Sequence, residues 1–345
     1  MTPRRVYLVA INLLNRTDRR RRVVNLFQQI QSACSGLFEI IPAILEACDG
    51  VTQSLVELNS RYGVTAYPNW AINGNDPTTI GYPASWRQPQ LSGGIASTMS
   101  HLDAISLAHD RGWLERRNPD EPQPILLVAE DDISLFGVNV RSFLDQLSQL
   151  LCEGDRLVPD WDMMLFGASE CRSDIAKSQP LSENLEIAGF SYLTTLFAVT
   201  RPGVAKFRLS RETIIKNCIV FDELHNALAG LTSSVRPDLD AIYGGLPRIK
   251  MLSARRNLVR QEPKDCIHDT EVSACSRRPA ELTARPPAEP EQLTGYKVPV
   301  VDLGTVYWWR RSATLTREEV ELVPKVMPET LKFQFGFLWD KLQAS

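Results

Sequence analysis

The sequence has no apolar run that approaches the roughly 20 residues a helix needs to cross a bilayer. Its first residues place basic side chains ahead of an apolar segment that ends at Leu13, but no small-residue cleavage site follows. This segment therefore predicts a core strand and not a signal peptide. We expect a cytoplasmic protein.

The sequence also lacks an excess of charge of one sign. It has 38 Lys and Arg residues and 41 Asp and Glu residues, for a net charge of -3. Proteins that bind a polyphosphate backbone are usually basic, so no nucleic-acid partner is expected. The local exception is residues 16–22, which contain five arginines. The simplest interpretation of this run is a solvated helix start.

Cysteine shows no metal-binding or redox pattern. The seven cysteines include no CxxC pair and no zinc-type spacing, and the chain has only four histidines. Buried reduced thiols are the expected state. A pairing of Cys266 with Cys275 is the alternative in an oxidising compartment.

Apolar β-prone runs alternate with segments of helical periodicity. The predicted strands are 6–13, 38–43, 125–129 and 162–166, and the predicted helices are 19–32, 101–113 and 139–151. Such alternation is typical of an α/β domain with a mostly parallel central sheet. Residues 59–94, rich in Gly, Pro and Asn, predict a long irregular loop.

Composition changes near residue 262. We predict one large domain over 1–262, a Pro/Glu/Arg-rich exposed linker over 263–295 and a small aromatic C-terminal appendage over 296–345. The patch 308–311 (WWRR) is expected to pack on the main domain. Peripheral contact with a membrane interface is the alternative.

Three acidic residues, Glu130, Asp131 and Asp132, directly follow the apolar strand 125–129. In parallel α/β sheets, ligands bind beyond the carboxyl ends of the strands. Adjacent carboxylates repel one another, and a hard divalent cation such as Mn²⁺ or Mg²⁺ would compensate this repulsion. A solvated turn is the alternative, and metal-dependent phosphatases and polymerases share the same pattern.

Several short segments in one order resemble glycosyltransferase family 25, the family of lipooligosaccharide and procollagen galactosyltransferases. They are 9–13 (VAINL), 18–20 (DRR), 91–101 (LSGGIASTMSH), 127–132 (LVAEDD), 161–167 (WDMMLFG) and 192–205 (YLTTLFAVTRPGVA). The chain departs from the family pattern at Ala96, Ser97 and Ala129.

The resemblance implies a GT-A-type nucleotide-sugar-binding sandwich. It also implies a metal-dependent hexosyltransferase that uses a UDP-sugar, with galactose or glucose as the hexose, and inverts the anomeric carbon. Lipopolysaccharide biosynthesis is one implied setting. The acceptor stays open between a glycan, a lipid-linked saccharide and a hydroxylated protein side chain.

The same resemblance assigns roles to individual residues. Asn12, Arg19, Ser100 and His101 would hold the donor. Asp132 and Glu130 would bind the metal, with His268 as a third ligand, and Glu130 or Asp131 would bind the ribose or the metal's water. Asp222 would be the general base.

Two of these roles have structural alternatives. Ser100 could cap a helix that opens at His101, and Asp222 could cap a helix over 223–231. Two rival functions also remain: a metal-dependent phosphohydrolase, and a non-catalytic protein that binds a sugar nucleotide or a protein partner.

Overall fold

The computed structural model describes residues 2–34, 36–50, 52–67, 88–135, 139–167, 169–170, 175–192, 194–234, 236–261 and 300–301. The chain divides into two compact units, Met1–Val300 and Val301–Ser345. The predicted linker 263–295 and most of the predicted appendage lie outside the described residues.

The strands are β1 (Arg4–Asn12), β2 (Phe38–Glu46), β3 (Ile125–Glu130), β4 (Ile133–Leu135), β5 (Met163–Leu165), β6 (Ser169–Glu170), β7 (Gln179–Pro180), β8 (Leu185–Ile187), β9 (Ser191–Tyr192), β10 (Leu196–Val199), β11 (Met251–Ala254), β12 (Val259–Gln261) and β13 (Val300–Val301). The helices are α1 (Thr17–Ala33), α2 (Leu55–Tyr62), α3 (Gln88–Asp110), α4 (Val140–Leu157), α5 (Arg201–Lys216), α6 (Phe221–Leu228) and α7 (Pro237–Tyr243).

Eight strands of the first unit form one sheet in the order β2-β1-β3-β10-β5-β11-β8-β7. β1 is parallel to β2 and β3, and β11 is parallel to β5. β10 runs antiparallel to both β3 and β5, and the pairs β11–β8 and β7–β8 are also antiparallel. The α/β class is confirmed. The expectation of a mostly parallel sheet is wrong, because β10 enters the middle of the sheet in the opposite direction.

Alternating side chains of the central strands explain the layers. Val6 and Leu8 of β1, with Leu127 of β3, join one apolar cluster with α1 and α4. The opposite face carries Val9 and Val128, and α3 packs there against β1 and β3. Because both faces are covered by helices, these strands are continuously apolar, as the sequence pattern predicts.

α4 shows how the sequence specifies one covering helix. Asn139 accepts a hydrogen bond from the Ser142 backbone N–H at 2.8 Å, which caps the first turn and is worth about 1 kcal/mol. Leu144, Leu147 and Leu151 follow at helical spacing and are at most 1% exposed. The helix therefore begins where predicted and continues to Leu157.

The expected irregular loop over 59–94 is wrong at both ends. Residues 55–62 form α2, and α3 begins at Gln88 instead of near His101. Gly50 packs closely on the first turns of α3, since a Cβ there would lie 2.4 Å from the Ser92 carbonyl oxygen and 2.6 Å from the Gly93 Cα. Small residues in the first turns of α3 thus serve close packing and not a loop.

The described cysteines agree with the expectation of reduced thiols. Cys34, Cys48 and Cys218 are buried and Cys152 is exposed, and all four are free. The candidate pair Cys266–Cys275 lies outside the described residues. Within the described part of the chain, no helix has both the length and the apolar character to cross a membrane.

Candidate active site

The acidic turn, residues 130–132, lies at the carboxyl end of β3 as predicted. Glu130 is the last residue of β3, and its backbone N–H donates to the carbonyl oxygen of Thr195 at 3.0 Å. β4 follows the turn at once and pairs with β12, so that Ile133 stands opposite Gln261. The turn is therefore held between the central sheet and a separate two-stranded sheet.

Asp131 is bound on both oxygens by residues of the β1–α1 connection. Asn12 donates to Oδ2 at 2.7 Å, and Arg19 Nη1 donates to Oδ1 at 2.6 Å. The same Nη1 lies 3.9 Å from Asp132 Oδ2. Asn12 and Arg19 are 1% and 3% exposed. Both predicted donor-binding residues thus reach the acidic turn, where they neutralise and orient Asp131, and their contact with a diphosphate stays a prediction.

Glu130 has different neighbours on its two oxygens. Gln261 Nε2 donates to Oε2 at 3.1 Å, and His101 Nε2 lies 3.7 Å from Oε1. Burial raises the pKa of Glu130 well above its ordinary value, and the negative charges of Asp132, Asp222 and Asp131 raise it further. The charges of three aspartates therefore act on Glu130, and one of them, Asp222, is distant in sequence.

His101 is buried in the middle of α3 and stacks on Phe221, with ring centroids 4.4 Å apart. Its Nδ1 lies 2.8 Å from the Ser97 carbonyl oxygen, which fixes the tautomer with the proton on Nδ1. Burial lowers the pKa of His101 to about 4, so the ring is neutral at pH 7. Its Nε2 lone pair therefore points toward Glu130.

Ser100 is not a helix cap. It lies a dozen residues inside α3, and its hydroxyl donates to the Ala96 carbonyl oxygen at 2.8 Å. The hydroxyl also accepts from the Cys48 backbone N–H at 2.8 Å. The predicted cap is wrong because α3 starts earlier, and this residue ties the helix to the segment after β2.

Asp222 is in the first turn of α6, where it does not cap the helix. The N-cap position is Val220, which offers no side-chain hydrogen bond, and the helix ends at Leu228 instead of residue 231. The hydroxyl of Thr194 donates to Asp222 Oδ1 at 3.1 Å. The alternative of a capping role is therefore wrong, and the carboxylate is held beside the acidic turn.

Sequence reasoning missed Thr194, Glu223 and Asn226. Thr194 lies in the 192–205 segment that resembles the family, but no local pattern connects it with Asp222. Asn226 accepts from the Ser191 N–H at 3.2 Å and donates to the Ser191 carbonyl oxygen at 2.7 Å, which attaches α6 to β9. Only the fold brings these residues together.

The set of metal ligands expected from the sequence is incomplete within the described residues. There, no group of three or more His, Cys, Asp or Glu side chains is arranged to hold an ion. Glu130 and Asp132 are close together, and the predicted third ligand, His268, lies outside the described residues. His109 is exposed beside Arg208, as expected for a surface residue.

No family model matches the chain. The chain is 27% identical over 218 residues to a protein of Aedes aegypti named "Glycosyltransferase 25 family member", which covers 63% of this chain and 30% of the relative. It is also 27% identical over 214 residues to "Procollagen galactosyltransferase 1" of Danio rerio, covering 62% of this chain and 30% of the relative.

These relatives confirm the resemblance to glycosyltransferase family 25 that the short segments indicate. The matched part of the chain spans less than a third of either relative's length. The chain is therefore similar to one portion of proteins with glycosyltransferase names.

Proposed function

We propose that the chain is an inverting glycosyltransferase that moves a hexose from a UDP-sugar to an acceptor hydroxyl with the help of Mn²⁺ or Mg²⁺. The observation that carries this proposal is the gathering of Glu130, Asp131 and Asp132 at the end of a buried strand, within electrostatic reach of Asp222. The similarity to two proteins with glycosyltransferase names supports the reaction class.

Two of the described side chains would supply part of the ligand set of a divalent cation. Glu130 and Asp132 offer hard carboxylate oxygens, and Mg²⁺-type sites commonly use one or two carboxylates together with substrate phosphates and water. Asp131 is already paired with Arg19, at 2.6 Å, and so acts as a support and not as a ligand. Burial raises the pKa of Glu130, the neighbouring carboxylates raise it further, and a cation bound nearby would relieve that repulsion. When bound, the cation neutralises the charge that develops on the departing diphosphate.

The protein side chains supply the rest of the reaction. Asp222 accepts the proton of the acceptor hydroxyl while that oxygen forms its bond to the anomeric carbon. The bond from the anomeric carbon to the diphosphate oxygen breaks in the same displacement, and the UDP leaves with the electron pair. Gln261 donates to Glu130 Oε2 at 3.1 Å, which restrains the donor-side carboxylate, and the neutral ring of His101 lies beside its other oxygen.

The acceptor is a hydroxyl on a glycan, a lipid-linked saccharide or a hydroxylated protein side chain. An acceptor at a membrane surface would agree with peripheral attachment through the patch 308–311, which lies outside the described residues. The name of the Danio rerio relative refers to procollagen, and that name describes the relative alone.

A donor screen tests the proposal. UDP release is measured with UDP-galactose and UDP-glucose, with Mn²⁺ and with EDTA, for the wild type and for Asp132→Ala. Loss of a metal carboxylate should lower kcat/KM by about 100-fold or more, since it removes several kcal/mol of transition-state stabilisation. The matched control is Asp145→Ala, which removes a carboxylate that is 54% exposed on α4.

Each outcome of the screen has a definite meaning. Activity that depends on Mn²⁺ and is lost only in Asp132→Ala supports the proposal. Equal activity in Asp132→Ala would remove this residue from the mechanism. Cleavage of p-nitrophenyl phosphate without turnover of either UDP-sugar would indicate a phosphohydrolase, and calorimetric UDP binding without turnover would indicate a binding protein.

A further inference from the structure

Thr194 lies on the short segment between β9 and β10 that reaches the acidic turn. The next residue, Thr195, accepts the Glu130 backbone N–H at 3.0 Å. Immediately afterwards β10 pairs with β3, with Leu196 opposite Ala129. The backbone beside Thr194 is therefore fixed to the end of the strand that carries the donor-side carboxylate.

The side chain of Thr194 faces α6. It is 2% exposed, and its hydroxyl donates to Asp222 Oδ1 at 3.1 Å. One helical turn later, Asn226 binds both backbone groups of Ser191. α6 is thus attached to this segment at two points. Asn226 fixes the helix, whereas Thr194 contacts the carboxylate itself.

Two properties of threonine suit this contact. The β-branched side chain restricts χ1, so the hydroxyl points in a defined direction. A hydroxyl that donates to a carboxylate makes a charge-assisted bond, which is stronger than a bond between neutral groups.

We infer that Thr194 is a positioning residue for Asp222, and that residues 194–195 set the distance between the donor-side carboxylate Glu130 and the acceptor-side carboxylate Asp222. The inference rests on the proposed function, because it assigns Thr194 a role in the same transfer. Thr194 acts through Asp222 and does not contact the reacting atoms.

The test uses the full chain and measures steady-state UDP release from UDP-galactose and UDP-glucose. The variants are Thr194→Val, Thr194→Ser, Asp222→Asn and the double variant Thr194→Val/Asp222→Asn. Thr194→Val should lower kcat by about 10- to 100-fold, since it removes one charge-assisted hydrogen bond. The KM for the donor should stay within about twofold, because the donor side is unchanged. Thr194→Ser should restore most of kcat.

The matched control is Thr200→Val. Thr200 is buried, and its hydroxyl donates to the Trp161 carbonyl oxygen at 2.9 Å and caps α5 at the opposite end of β10. This variant should lose stability and keep kcat. It separates the loss of a buried hydroxyl from the loss of the Asp222 contact.

The double variant separates the positioning role of Thr194 from the proposed role of Asp222 as the base. If Thr194 acts only through Asp222, adding Thr194→Val to Asp222→Asn should cause no further loss of kcat. Wild-type kcat in Asp222→Asn would contradict the proposed base. An inactive Asp222→Asn together with full activity in Thr194→Val would overturn the positioning role alone. Equal losses in Thr194→Ser and Thr194→Val, or a loss confined to KM, would also overturn it.

Discussion

The contact between Arg19 and Asp131 gives the sharpest prediction of stability. The two side chains are 4% and 7% exposed, and their charged atoms are 2.6 Å apart. Arg19→Met keeps most of the apolar stem and removes the cation. The Asp131 carboxylate would then stay buried, with the hydrogen bond from the Asn12 amide but without the neighbouring positive charge. A buried ion left without its partner is strongly destabilising.

The expected loss in the free energy of unfolding follows from the distance between the two charged groups. At 2.6 Å and an effective dielectric of about 20, two unit charges attract by about 6 kcal/mol. Part of this is offset because the variant no longer desolvates the guanidinium, so we expect a net loss of about 3–5 kcal/mol in the free energy of unfolding. For a domain of this size, each kcal/mol lowers Tm by about 2–4 °C.

The assay is urea unfolding followed by circular dichroism, with thermal melts in parallel. Arg22→Met is the control, because Arg22 is exposed on the same helix and should change stability by no more than about 0.5 kcal/mol. Arg19→Met/Asp131→Asn should be more stable than Arg19→Met, since it removes the buried charge. A loss below about 1 kcal/mol in Arg19→Met, or no recovery in the double variant, would show that this ion pair does not stabilise the fold.

The same variant also tests the predicted donor contact of Arg19. Measured well below its melting temperature, Arg19→Met should keep the wild-type KM for the UDP-sugar if the guanidinium serves Asp131 alone. A KM raised by about tenfold or more would assign it a direct contact with the diphosphate as well.

Two further predictions concern buried positions near the site. Burial raises the pKa of Glu223 from 4.5 to about 8. Between these two pH values the folded state keeps a proton on Glu223 that the unfolded state has released. The free energy of unfolding therefore falls as the pH rises from 4.5 to 8. Glu223→Gln should therefore lose less unfolding free energy than the wild type between pH 5 and pH 8, whereas parallel curves in urea titrations would contradict this. Gly50→Ala should cost about 1–3 kcal/mol, since its Cβ would meet the Ser92 carbonyl oxygen at 2.4 Å, and an unchanged urea midpoint would show that α3 does not pack there as described.

The central strands were predictable from sequence because they are buried on both faces. β1 and β3 are continuous apolar runs, and a run of that kind has few other environments. Strand direction is a different matter, because the apolar pattern of 196–199 is the same whether β10 runs up or down. The antiparallel entry of β10 is set by where the chain returns from β9, which no local pattern encodes.

The helix that contains His101 illustrates a second limit. Residues 59–94 are rich in Gly, Pro and Asn and lack helical periodicity, and the sequence therefore predicted an irregular loop there and a helix only from His101. The structure continues the helix through Gly93 and Gly94, and Gly50 packs directly on Gly93. Tertiary contact overrides local propensity at this point.

The site was predictable as a set of residues more than as a set of contacts. One edge of the sheet brings together the three acids and the side chains of Asn12, Arg19, His101 and Asp222. Which atoms bind which, however, depends on long-range geometry: Arg19 and Asn12 reach Asp131 across more than a hundred residues. A spacing motif carries no information on such pairings.

Gln261 gives the acidic turn a dependence on the order of synthesis. It donates to Glu130, and its strand completes the pairing with β4. On a ribosome, the strand that ends in Glu130 emerges well over a hundred residues before this partner, and the intervening nascent chain includes β10 and α6 as well. Glu130 therefore cannot receive this hydrogen bond, nor β4 its pairing, until residue 261 has left the exit tunnel, whereas Asn12 and Arg19, the partners of Asp131, are synthesised before the acids.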